Sequence, residues 1–95
     1  MFNLNKYSLA VKHLQEAIPL VSDALKRTDY PERVKDIYEY IEFNEGGIAL
    51  EILCENLYEF SCPIPRRAYE LIEKAGTGMK MDKKRWELLK PLVID

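Results

Sequence analysis

Ninety-five residues, 47% hydrophobic and 32% charged, suffice for one domain with a single core and leave no length for a core plus a roomy catalytic cleft. No apolar run approaches the ~20 residues of a membrane span, and the N-terminal stretch MFNLNKYSLAVKHLQEAI is too interspersed with polar residues for a signal peptide. A cytoplasmic, single-domain protein is therefore expected over residues 1–95. Cys54 and Cys62 agree with a reducing compartment and are expected as free thiols.

The net charge is −2, but it is unevenly spread. Asp29 to Glu59 holds nine acids and two bases, whereas Pro63 to Pro91 holds eight bases and four acids. An acidic middle disfavours nucleic acid there and favours a basic protein surface as partner.

In chain order, Asn3 or Asn5 can cap a first helix. Tyr7, Val11, Leu14, Ile18, Val21 and Leu25 form an apolar seam at near-heptad spacing. The seam keeps its phase across Pro19, which predicts a kinked helix or two abutting helices ending near Arg27. Thr28 and Asp29 are capping residues, and Pro31 suits the first turn of a second helix reaching about Phe43. Val34, Ile37, Tyr38 and Ile41 form its inward stripe, with Glu32, Asp36, Glu39 and Phe43 opposite and Tyr40 beside them.

The stretch Asn44 to Phe60, NEGGIALEILCENLYEF, reads as the central helix around which the rest is arranged. Asn44 caps it, and Gly46 and Gly47 in its first turn can admit a close neighbour. Ala49, Ile52, Leu53, Leu57 and Phe60 make the apolar side. Asn56 lies within that side and needs a hydrogen-bond partner. Glu51, Glu55 and Tyr58 lie opposite, with Glu59 at the flank. The SCPIP segment then stops the helix. A fourth helix spans Pro65 to Ala75, with Ala68, Leu71, Ile72 and Ala75 inward, and Gly76 and Gly78 end it. Asp82 caps a fifth helix carrying Trp86, Leu89, Leu92 and Val93 inward, ended or bent by Pro91. No stretch alternates as a strand, so the fold class is all-α: one bundle of five or six helices.

Enzymatic chemistry finds little support. His13 is the sole histidine and stands alone on the first helix. Cys54 lies among glutamates, which raise a thiol pKa and deactivate it. Two cysteines and one histidine do not make a zinc spacing. Gly76-Thr77-Gly78 lacks the lysine and the strand of a phosphate loop. The glutamates read as a solvated stripe before they read as an acid–base pair. No catalytic residue, metal or cofactor is expected. Lys80, Lys83, Lys84, Arg85 and Lys90 surround Trp86, a patch phosphates would favour, but Trp86 sits inward and nucleic-acid binding is not expected. That leaves Glu32, Asp36, Glu39, Glu51, Glu55 and Glu59, interspersed with Tyr40, Phe43 and Tyr58. Aromatics carry binding energy at interface centres and charges steer association, so these nine residues are the expected partner-binding set.

At NEGGIALEILCENLYEF, the following PIP with Tyr69 and Glu70, and MDKKRWELL from Met81, the chain resembles the MafI-type immunity proteins, small helical proteins that neutralise secreted polymorphic toxins. The resemblance covers roughly Asp29 to Val93 and rests on the spacing of Glu45, Gly47, Ala49, Leu50, Glu51, Leu53, Leu57, Tyr58 and Glu59, then Trp86. Gly46, preceding Gly47, is a small departure. The resemblance implies an immunity role against toxins of MafB or contact-dependent growth inhibition systems, several of which carry EndoU-type RNase domains. The expected partner is therefore a cognate toxin C-terminal domain, with no nucleic acid and no membrane. The alternative is a helical adaptor or regulatory subunit that uses the same face on another basic protein.

Overall fold

The computed structural model describes residues 7–27 and 32–95. Its helices are α1 (Ser8–Lys26), α2 (Arg33–Glu42), α3 (Gly46–Glu59), α4 (Arg66–Gly78) and the single turn α5 (Lys84–Glu87), followed by a 3-10 turn at Lys90–Leu92. Strands β1 (Ile64–Pro65) and β2 (Val93–Ile94) pair in parallel, Ile64 opposite Val93 and Pro65 opposite Ile94. The all-α bundle is as expected. The caps expected at Asn3, Asn5, Thr28 and Asp29, and the first-turn Pro31, lie outside the described residues.

α1 runs as one helix through Pro19 and is not divided into two abutting helices. Pro19 faces solvent, and its carbonyl accepts a hydrogen bond from the Ser22 hydroxyl at 3.4 Å. The seam points inward as its spacing requires: Leu14, Ile18, Val21 and Leu25 are buried, with Ala10 and Ala17 beside them, and Tyr7 and Val11 are half-buried.

The most extensive helix contact is α1 with α4, whereas α3 packs chiefly on α2. The packing is therefore centred on the α1–α4 pair, not on the Asn44–Phe60 segment. The reason lies in side-chain size. Ala10 and Ala17 of α1 and Ala68 and Ala75 of α4 are all buried, and a methyl group on Gly78 would stand 2.8 Å from the Ala10 Cβ. Small residues let two helix backbones approach closely and bring the larger side chains around them into contact.

Gly76 does not end the fourth helix but lies inside it, whereas Gly78 is its last residue, as expected. A Cβ on Gly76 would overlap the six-membered ring of Trp86, which is 2% exposed. Glycine is present there so that the indole can lie against the helix backbone. Gly46 is close-packed too, but against the side chains of Val11 and Met79.

Three helices end on left-handed residues other than glycine: Asn44 (φ 64°) after α2, Ser61 (φ 48°) after α3 and Lys80 (φ 58°) after α4. In each case two hydrogen bonds close the helix end. Glu45 N–H donates to the Tyr40 carbonyl and Asn44 N–H to Ile41. Cys62 N–H donates to Leu57 and Ser61 N–H to Tyr58. Met81 N–H donates to Gly76 and Lys80 N–H to Thr77. Asn44 thus terminates α2, and Glu45 takes the capping position of α3.

Other expectations shift by less. Lys83 takes the cap position of the last helix, and Asp82, one residue before it, accepts the Lys84 N–H on its carboxylate at 3.0 Å. The expected fifth helix, however, is one turn and a 3-10 turn, and Val93 has become strand. Pro63 and Pro65 hold an extended backbone on either side of the fully buried Ile64, and β2 pairs with it. A two-residue strand is too short to show alternation in sequence. Arg66 closes the same corner by pairing with Asp95 at 2.6 Å. Tyr38 was expected inward but is exposed, because the cover that α1 and α3 give α2 stops at Val34, Ile37 and part of Ile41. Asn56, buried, donates its amide to the Ile52 carbonyl at 2.7 Å.

Two substitutions test this account by urea unfolding monitored with circular dichroism. Helix propensity alone would favour Gly76→Ala by ~1 kcal/mol, but overpacking against Trp86 costs ~1–3 kcal/mol, and a net loss of stability is expected. For Lys80→Gly, relief of the left-handed penalty of ~1–2 kcal/mol exceeds the extra chain entropy of ~0.5–1 kcal/mol that glycine loses, so stability should rise.

Candidate functional site

The buried arc of α3 is Ala49, Leu50, Leu53, Cys54, Asn56 and Leu57. At 3.6 residues per turn this leaves Ile48, Glu55 and Glu59 along the outer ridge, with Ile52 on one shoulder and Glu51 and Tyr58 on the other. The spacing predicts Ile52 and Phe60 on the buried side with Ala49, Leu53 and Leu57; both are half-buried, because the helix is rotated toward Leu50 and Cys54.

Of the nine expected contact residues, Glu32, Glu39, Tyr40, Phe43, Glu55, Tyr58 and Glu59 are exposed, and Asp36 and Glu51 are half-buried. Phe43 is 76% exposed, Tyr58 58% and Tyr40 37%, which is high for side chains of this size. The set is divided by the ridge of α3 into two groups. Asp36, Glu39, Tyr40 and Phe43 gather with Arg33 and Ile52 around a hollow of about 380 Å³ between α2 and α3. Glu51 and Glu55 instead face Asp82, Lys84, Arg85 and Leu88 across a hollow of about 370 Å³ between α3 and the C-terminal segment, with Cys54 at its edge.

Glu51 is not free for a partner. Its carboxylate lies 3.5 Å from the Arg85 guanidinium. Both side chains are more than a third exposed, so the pair contributes only ~0–1 kcal/mol; its consequence is geometric, since it directs one of the six acids toward the basic segment. Glu39, Glu55 and Glu59 have no ion pair among the described residues.

The cysteines are free and buried. Burial pushes the Cys54 thiol up to about 12, and the neighbouring Glu55 carboxylate adds to the effect against the opposing Arg85. Burial also raises Cys62 and, with Glu73 and Glu87, the Tyr69 hydroxyl. His13 stands on α1, 3.6 Å from Glu16, beside a hollow it shares with Leu9, Glu73 and Thr77. Neither cysteine lines that hollow, so imidazole and thiol are not brought together. No three His, Cys, Asp or Glu side chains among the described residues converge as a metal site. Trp86 is buried and offers no stacking platform to a base. No described helix is long and apolar enough to cross a membrane.

The sequence reading missed Arg33 and the partial exposure of Ile52. Arg33 was masked by the acidic count around it. The position of Ile52 was visible only as a boundary residue of the helical wheel. No family model, curated protein or solved structure matches the chain.

The Cys54 shift has a sign that can be measured. The folded state holds the thiol proton more tightly than the unfolded chain does, whose ordinary value is 9.0. This contribution to stability is therefore complete below pH 9 and is lost as pH rises toward 12. Unfolding free energy measured in urea from pH 8 upward should fall, and Cys54→Ala should show a shallower alkaline decline than the parent chain.

Proposed function

We propose that this protein is an immunity protein: it binds a cognate secreted toxin domain, an RNase with the EndoU type favoured, and covers its basic active-site or substrate groove. Inhibition is steric and electrostatic, with no chemistry contributed by the chain, and it acts in the cytoplasm. The observation that carries this reading is the exposure of Phe43, Tyr40 and Tyr58 beside Glu39, Glu55 and Glu59, carboxylates with no ion pair among the described residues. An unpaired acidic surface repels itself and costs stability, and exposed aromatics gain most when a partner covers them. The resemblance at Asn44–Phe60 and Met81–Leu89 points in the same direction.

The test uses the catalytically inactivated product of the neighbouring toxin reading frame and follows association kinetics. Phe43→Ala should weaken binding by ~2 kcal/mol or more, mainly through faster dissociation. Glu39→Lys with Glu55→Lys should slow association about tenfold at low salt and flatten its salt dependence. Adding Glu51→Lys should contribute less per charge, because that side chain is held by Arg85. Full protection of cells by the double reversal would show that this face is not the site. Binding to a basic protein with no toxin activity would favour the adaptor reading instead. RNA gel shifts at moderate salt should show no complex; a shift abolished by changing Lys83 and Lys84 would move the function to the C-terminal segment.

A further inference from the structure

We propose that the hollow between α2 and α3 receives one arginine side chain of the partner protein. The inference rests on the protein-binding reading above and specifies its central contact.

The wall of the hollow is graded along α2. Arg33 lies at the N-terminal end, Asp36 and Glu39 lie in the middle, and Tyr40 and Phe43 lie at the C-terminal end, with Ile52 of α3 across from them. Ten residues of helix separate Arg33 from Phe43, about 15 Å at the α-helical rise. A cation entering at the Phe43 end therefore stays clear of the resident guanidinium. It meets two aromatic rings, the carboxylate of Glu39 one turn back, and the negative end of the α2 dipole. Each feature favours a cation, and together they favour arginine over lysine. A guanidinium is planar, stacks on aromatic faces while donating sideways to a carboxylate, and is more weakly hydrated than an ammonium. Its methylene stem would lie against Ile52, which is half-buried.

The rim is already fixed in place. Glu45 N–H donates to the Tyr40 carbonyl at 2.8 Å and Asn44 N–H to that of Ile41 at 3.0 Å, so the backbone between the two rings is closed by hydrogen bonds. On the rim, binding has only side chains left to order.

The probe is the peptide acetyl-Gly-Arg-Gly-amide, titrated into the intact protein and followed by the Ile52 methyl signal and the Tyr40 and Phe43 ring signals in NMR. Citrulline and lysine versions of the peptide serve as neutral and ammonium controls. The expected result is a saturable shift at these three residues, about tenfold weaker with citrulline and measurably weaker with lysine. Tyr40→Ala with Phe43→Ala should abolish it, and because both side chains are exposed the fold should survive. Glu70→Gln with Glu73→Gln, exposed on α4 and outside the hollow, should leave it unchanged. Equal responses to arginine and citrulline, or to arginine and lysine, would overturn the proposal, as would equal shifts at Ile48 on the ridge. If the arginine peptide leaves Ile52 unmoved while Glu39→Lys still slows association with the toxin domain, the arginine contact is wrong and the protein-binding reading stands. A saturable shift at Ile52 with a toxin domain indifferent to Glu39→Lys would support the hollow and reject that partner.

Discussion

α4 is used from two sides, and the rest of the molecule depends on that. Gly78 lets it approach Ala10 of α1, and Gly76 lets the Trp86 ring lie against its backbone. The first contact joins the two ends of the helical chain; the second seats the C-terminal segment, which otherwise holds only one helical turn, a 3-10 turn and a two-residue strand. With α1 and α4 packed together and Trp86 fixed, α3 is covered along Leu50, Leu53 and Leu57, all fully buried. α2 is left at the margin with little more than Val34 and Ile37 inside.

The marginal position of α2 is what leaves an acidic and aromatic face on the surface. A helix covered on one narrow stripe must display the remainder, and in α2 the remainder is acidic and aromatic beyond Arg33 and Lys35 at its start. The left-handed Asn44 that ends the helix also fixes where Phe43 emerges. The same element is therefore weakly held by the core and well defined at its C-terminal end. Polar surface around a few rigid aromatic anchors is the general anatomy of a recognition surface. Here the ridge of α3 divides that surface, so that a flat partner would meet the ridge first and only a protruding side chain would reach the hollow behind it.

Much of this was legible in the residue order. The α1 seam, the inward face of α4, Trp86 and Leu89, the buried Asn56 and the outward Tyr40 and Phe43 all follow from helical periodicity, whereas the exposure of Tyr38 does not. What escaped has physical causes. Gly76 resembles a helix terminator in composition, and only the three-dimensional position of Trp86 shows that it is a contact point. Asn44, Ser61 and Lys80 terminate helices without the glycine that usually signals such an end. The β1–β2 pairing joins segments nearly thirty residues apart through a hydrogen-bonding pattern that side-chain identity does not encode. In the candidate site, the nine side chains were readable as outward-facing, but their division about α3 and the capture of Glu51 by Arg85 required the rotation of α3, which depends on how α4 and the C-terminal segment cover it.

Trp86 is the single tryptophan of the chain, and its indole is sealed against Gly76. Its fluorescence consequently arises from one chromophore in one apolar environment. Any loosening of the C-terminal segment from α4 would redden that emission even while the helices persist, so the molecule carries its own optical gauge of whether its last fifteen residues are seated.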